Sequence, residues 1–372
     1  MSAKKGKTLM DCLTEIEDPR KPSNGKRHDF QEILVMLVTA ILCGCDEAEE
    51  IAAWTKARET WLRRFLALKN GIASADTFLR ILRLLDPNTL EATFRRWVSG
   101  ILPALEGGVA IDGKSLRGSG TGGSLPTHLV SAFSTNLGMV LGQEKVSQKS
   151  KEISAIPHLL DALDLKGLLV SMDAMGCQKA IAKRIVAKKA DYLLAVKDNQ
   201  PGLRQRIADA FSDGGPLADR HEHLDNGHGR LVIQIARVLP AKGVVDGDDW
   251  LKVKTIGCID SVRYHRGKES EPERRYYLSS RILSASELSQ AARAHWGIEN
   301  RLHWVLDLIM NEDASTIRKD NAPQNFSLLK KIALNLIRAD QSDTKKTSLK
   351  IKRRLADWDE DFRMHLLGIE PI

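Results

Sequence analysis

The stretch Gly-Val-Ala-Ile-Asp-Gly-Lys at 108–114 decides the fold. An apolar run ends at Asp112 and Gly113 follows at once, so a buried strand delivers a carboxylate to a sheet edge and the glycine lets the chain turn there. HLVSAFST (128–135) and MVLGQEKV (139–146) come next at strand length. Three successive short runs predict an antiparallel meander. The spacing then becomes helical in KEISAIPHLLDALD (151–164), returns to a strand in LLVSMDA (168–174), and is helical again in CQKAIAKRIVAKK (177–189). DYLLAVK (191–197) reads as a strand and 201–211 as a helix. A meander followed by strand-helix alternation predicts an α/β fold, a mixed sheet covered by helices.

On the N-terminal side, 30–45, 47–68, 74–85 and 88–102 carry apolar residues at helical spacing, which predicts an all-helical domain over 1–105. On the other side, 212–280 holds LVIQIARVL, WLKVKTIGCID and RRYYLSSR between Gly-, Asp- and His-rich turns and reads as a β-rich insertion. His221, His223 and His228 fall in one of those turn-rich segments and read as loop residues rather than a metal site. Helices resume over 286–310 and 325–339. A second unit is therefore expected over 106–340, with 341–372 as a basic tail whose cations, Lys345 to Arg354, are expected together with the N-terminal helices to help bind a polyanion.

Composition narrows the partners. Lys and Arg outnumber Asp and Glu 56 to 48, a net charge of +8, and the pI is near 9.2, which suits a negatively charged backbone. Five scattered cysteines without paired CxxC motifs read as reduced, buried thiols. No secretory signal is visible and the longest apolar run, 33–45, falls short of the roughly 20 residues that span a bilayer, so a cytoplasmic protein without a membrane partner is expected.

The carboxylates carry the chemistry. Asp112 and Asp173 each end an apolar strand, where open α/β sheets place ligands, and neighbouring strand-end carboxylates share a hard cation. A third acidic group is offered by HWGIENRLHWVLD (295–307), which sets His295, Glu299, His303 and Asp307 at successive spacings of four. That stripe reads equally as a metal site in its own right or as the polar face of a partly buried helix.

IDGKSLRGS (111–119), MDAMGCQKAIA (172–182), DYLLAVKDNQ (191–200), YYLSS (276–280) and HWGIENRLHWVLDL (295–308), in this order, resemble insertion-sequence transposases of the H-repeat-associated branch of the DDE superfamily. RHDFQEILVMLVTAILCG (27–44) and GIASADTFLRIL (71–82) resemble the helical domain that precedes catalysis in that family. The resemblance implies a ribonuclease-H-like catalytic domain with Asp112, Asp173 and Glu299 as catalytic metal ligands. It implies two Mg2+ ions, with Mn2+ able to substitute, cleavage at transposon ends and strand transfer into target DNA, and a homodimer or larger assembly on DNA. Lys114 and Arg117, close behind Asp112, are expected to neutralise DNA phosphates. Lys197, Asn199 and Gln200 match the family's Lys and Asn-Gln positions, and Arg230 its His-Gly-Arg motif, all as DNA contacts. His295, four before Glu299, where related enzymes often carry an arginine near the scissile phosphate, is expected either to donate a hydrogen bond there or to orient Glu299. Two other readings stay open: a catalytically silent DNA-binding descendant, and a metal-dependent hydrolase of small substrates built on the stripe.

Overall fold

A computed structural model describes residues 7–21, 26–102, 106–146, 152–212, 219–227, 230–265, 268–342 and 347–369. The first hundred residues form helices α1 (Leu9–Leu13), α2 (Phe30–Leu42), α3 (Ala48–Ala57), α4 (Glu59–Leu62), α5 (Ala75–Leu84) and α6 (Pro87–Ile101). Local chemistry sets their starts: Asp29, Ser74 and Asp86 each accept a backbone N–H in the first turn of α2, α5 and α6, and Pro87 occupies a position where no amide hydrogen is needed.

The sheet begins with β1 (Gly108–Ser115), β2 (His128–Ser134) and β3 (Val140–Val146). These three pair antiparallel, as the meander requires. Helix α7 (Glu152–Asp161) leads to β4 (Leu169–Met172), α8 (Lys179–Ala187) to β5 (Asp191–Val196), and α9 (Pro201–Ala210) follows. β4 lies parallel to β1 and β5 parallel to β4, giving the order β3-β2-β1-β4-β5. That order, antiparallel on one flank and parallel on the other, is the ribonuclease-H-like arrangement. The last register pair between β1 and β4 is Ile111 with Met172, so the residues that come next on each strand are Asp112 and Asp173.

Gly113 has a different reason from the turn expected of it, because β1 runs on through Ser115. A Cβ there would lie 2.6 Å from Glu152 Oε1 and 2.7 Å from His128 Nε2, so the glycine is required by the close approach of those two side chains.

The segment expected as a separate insertion extends the same sheet. Its strands β6 (Asp219–Gly227), β7 (Arg230–Pro240), β8 (Thr255–His265), β9 (Lys268–Glu269) and β10 (Glu273–Ser279) join through β10, which pairs antiparallel with the outer edge of β5 and sets Tyr276 against Val196. His221 and His223 lie in β6 rather than in a loop, since pairing with β7 overrides the polar composition of that segment. His228 lies outside the described residues.

The remaining helices are α10 (Ala285–Ile298), α11 (Trp304–Leu308), α12 (Ala322–Ala339), α13 (Leu349–Trp358) and α14 (Glu360–Leu367). α12 is buried along most of its length, between α2, α5 and α6 on one side and β3 on the other. One apolar core runs from Leu9 through the sheet to Leu367, so the helical segment and the sheet share a core. Part of the expected basic tail packs inward, while Lys350 and Arg354 stay exposed. Arg353 is buried and donates to the Ile41 carbonyl and to Asp46, Lys352 pairs with Asp340 at 2.8 Å, and Cys43 donates its thiol to Ala356 O. Residues 349–367 are thus two docked helices, and Lys345 and Lys346 lie outside the described residues. All five cysteines are free and buried. Among the described residues no helix is long and apolar enough to cross a membrane.

Candidate active site

Asp112, within β1, and Asp173, just past β4, follow the last register pair between these parallel strands, and the π turn that ends α10, a helix packed on both strands, brings Glu299 to them. The three carboxylates border one cavity of about 310 Å³. Asp173 takes a backbone hydrogen bond from Met175 at 3.0 Å, which fixes the short turn after β4. Asn199 and Gln200, expected to touch DNA, use their amide nitrogens on that turn: Asn199 Nδ2 donates to Ala174 O at 2.6 Å and Gln200 Nε2 to Cys177 O at 3.0 Å.

The helix predicted over 286–310 is interrupted where the chemistry lies. Glu299–His303 forms a single π-helical turn between α10 and α11, a feature that in helices collects at functional positions. The stripe of four therefore meets three different partners. His295 Nδ1 lies 3.1 Å from Ser171 Oγ on β4. Glu299 and His303 face Asp112, with His303 Nδ1 at 3.4 Å from Glu299 Oε2 and 3.6 Å from Asp112 Oδ2. Asp307 pairs with Lys114 at 2.6 Å. The stripe as one self-contained metal site does not form. Asp112, Glu299 and His303 do form one group, each offering an atom within 4.8 Å of the others.

Electrostatics follow from this crowding. Burial pushes the Asp112 carboxyl up to about 7, and the charges of Glu299 and Asp173 push in the same direction against the pull of His303. The Glu299 carboxyl is held low, first by the His303 imidazole beside it. Desolvation also raises Asp173, with Glu152 adding to it and backbone hydrogen bonds from Gly176 and Met175 opposing it. Two carboxylates this close cannot both ionise cheaply, and a divalent cation would take the place of the proton that Asp112 retains. The donor set, carboxylate oxygens with one imidazole nitrogen, fits such an ion.

The expected phosphate contacts divide. Lys114 is turned inward onto Asp307, Glu312 and Asp313, at 2.6, 2.9 and 2.9 Å. Burial alone would lower its ammonium, and the carboxylates, Glu312 first, hold it raised instead. It is a strut, and its charge is already committed. Arg117 remains open, its side chain 84% exposed while touching Asp313. Lys197 is exposed on the cavity wall. His295 also borders the cavity, and burial lowers its imidazole to about 4, so it is neutral at physiological pH. Arg230 opens β7, and its side chain lies outside the described positions.

Sequence reasoning missed Arg274 and Arg275 on the far wall of the cavity, which Trp296 also lines. The Arg275 guanidinium sits 4.3 Å from the indole centre and is clamped by Glu273 at 2.8 and 2.9 Å. Pairing of β10 with β5 creates that wall, and no local pattern announces it. His128 and Glu152, hydrogen-bonded to each other beneath Gly113, were missed for the same reason.

A ribonuclease-H-like sheet with aspartates just beyond the pairing of its two central parallel strands, and a helix-borne glutamate at the same cavity, defines the polynucleotidyl-transferase class of enzymes. Residues 103–336 match the model of the transposase DDE domain, and 10–98 match that of the DDE-transposase-associated domain. The chain is 40% identical to "Putative transposase YncI" of Escherichia coli O157:H7 over 89% of this chain and 87% of that one. It is 34% identical to "H repeat-associated putative transposase YhhI" of Escherichia coli K12, over 97% and 98% of the two chains. A solved structure titled as a piggyBac transposase synaptic complex with hairpin DNA is a more distant likeness, with TM-score 0.43 and 12% identity over 97% of this chain and 76% of that one. The chain belongs to the DDE transposase family, and within it resembles the H-repeat-associated branch.

Proposed function

We propose that this transposase cleaves DNA at the ends of its own insertion sequence and joins the freed ends to target DNA, using two divalent ions, Mg2+ with Mn2+ able to substitute, held by Asp112, Asp173 and Glu299. The observation that carries this reading is the placement of Asp112 and Asp173 side by side beyond the Ile111–Met172 pair, with Glu299 meeting Asp112 from α10. When bound, paired divalent ions activate the attacking oxygen and stabilise the leaving oxygen at phosphorus. Asp112 would be shared by both ions, Asp173, on a turn kept in place by the Asn199 and Gln200 amides, would hold one of them, and Glu299 would hold the other.

Lys197 and Arg117 supply exposed positive charge for DNA phosphates beside the carboxylates. His295, neutral and bonded to Ser171, orients the face of α10 that presents Glu299. The helices over 7–102 are assigned to recognition of the transposon ends, and a homodimer or larger assembly brings two ends together.

The test is divalent-metal-dependent nicking of a labelled duplex that carries the element's own end. Wild type is expected to nick, and Asp112→Asn, Asp173→Asn and Glu299→Gln are each expected to fall to background while still binding. A folded wild type that binds the end without nicking would select the silent DNA-binding descendant instead.

A further inference from the structure

His303 is the one member of the carboxylate group for which neither the resemblance nor the proposed reaction has a use. Its ring is buried, only 6% exposed, on the π turn that also carries Glu299. Nδ1 lies 3.4 Å from Glu299 Oε2 and 3.6 Å from Asp112 Oδ2. These separations are long for N–H···O hydrogen bonds, whose usual range ends near ~3.2 Å. They match the spacing of two ligands on a single ion, because bonds of about 2.0–2.2 Å set neighbouring donors roughly 3 to 3.5 Å apart. Nε2 is buried and has no hydrogen-bond partner among the described residues. The π turn supplies the aim: it sets Glu299 and His303 on the same carboxylate while His295 and Asp307, on either side of it, go to Ser171 and Lys114.

We propose that His303 Nδ1 is a direct ligand of the ion held by Asp112 and Glu299, so that the two metal positions are chemically unequal. The position between Asp112 and Asp173 offers oxygen alone and suits Mg2+. The position of Asp112, Glu299 and His303 mixes oxygen with an imidazole nitrogen, which favours a first-row transition ion over Mg2+. The inference rests on the reading of the carboxylates as metal ligands, and its test separates the two.

The experiment is pulsed electron paramagnetic resonance on the full chain loaded with Mn2+, where a directly bound imidazole gives a 14N coupling in the echo modulation. Wild type is expected to show it. His303→Asn and His303→Gln are expected to lose the coupling and to bind Mn2+ about tenfold more weakly or worse, by analogy with the effect of disturbing a metal site's ligand shell, with the thermal melt confirming that each is folded. Bound Mn2+ without a 14N coupling in wild type would overturn the role of His303 and leave the carboxylate reading standing, and this result needs no variant. A coupling that survives both substitutions would overturn it equally. Failure of wild type to bind Mn2+ would overturn the carboxylate reading and this inference with it.

Discussion

Asn199 donates its side-chain amide to the Ala174 carbonyl at 2.6 Å, so the turn after β5 holds the turn after β4 that presents Asp173. Gln200 repeats the tie one residue further on, to Cys177. A carboxylate just past a strand end is only as well placed as its turn, and here two neighbouring amides hold that turn from the loop after the adjacent strand.

Asn199→Ala is therefore expected to cost about 1 kcal/mol in stability, the usual net worth of one such bond. Nicking should fall by far more than binding does. Comparing kcat with the Kd for an end duplex checks this. Equal losses in both would mean that Asn199 contacts DNA rather than positioning Asp173.

The pH dependence of the metal-free protein has a definite sign. Asp112, at about 7 in the folded chain against 3.8 ordinarily, and Glu91, pushed by burial to about 8 against 4.5, both bind protons more tightly when folded. Their contribution to stability is complete below about pH 4 and is lost as pH rises through about 7 to 8. Denaturant midpoints taken at about pH 5 and pH 7.5 should show this fall. Asp112→Asn should lessen it, and Mg2+ should offset it, since a cation favours the ionised carboxylate. A slope unchanged in Asp112→Asn would refute the assignment.

Lys331 lies in the interior of α12, with its ammonium on Ser131 and on Gln143 Oε1 at 2.5 Å. Burial lowers it to about 8, while Glu312 and Glu91 favour its charged form. Lys331→Ala removes the cation and leaves both carboxylates buried with less compensation, a change expected to cost about 3–5 kcal/mol. Urea unfolding measures it. A cost below ~1 kcal/mol would mean that water replaces the ammonium.

Arg353 tests the docked C-terminal helices. Its guanidinium holds the Ile41 carbonyl and Asp46, so Arg353→Ala is expected to destabilise the fold by about 3 kcal/mol. The salt dependence of DNA binding should hardly change. Loss of about one unit from the slope of log K against log salt, with stability intact, would make Arg353 a phosphate contact instead.

The sequence by itself determined the layered architecture, because it is written in local periodicity: apolar runs of strand length from 108 to 146, then helices alternating with LLVSMDA and DYLLAVK. It also marked Asp112 and Asp173, since a carboxylate that ends a buried run has to emerge at the sheet's edge. Glu299 was legible through the resemblance, while spacing alone left it as one of four equivalent polar residues. Tertiary structure decided the rest, through contacts between residues far apart in the chain. Pairing of β10 with β5 made the inserted strands part of the same sheet and placed Arg275 on the cavity wall, against Trp296 of α10. Three acidic groups drew Lys114 inward, and the packing of α13 and α14 drew part of the basic tail into the core. The π turn at Glu299–His303 separated four evenly spaced side chains into three environments. A one-dimensional pattern fixes which face of an element is apolar; which partner each polar side chain meets depends on backbone geometry and packing that exist only once the chain has folded.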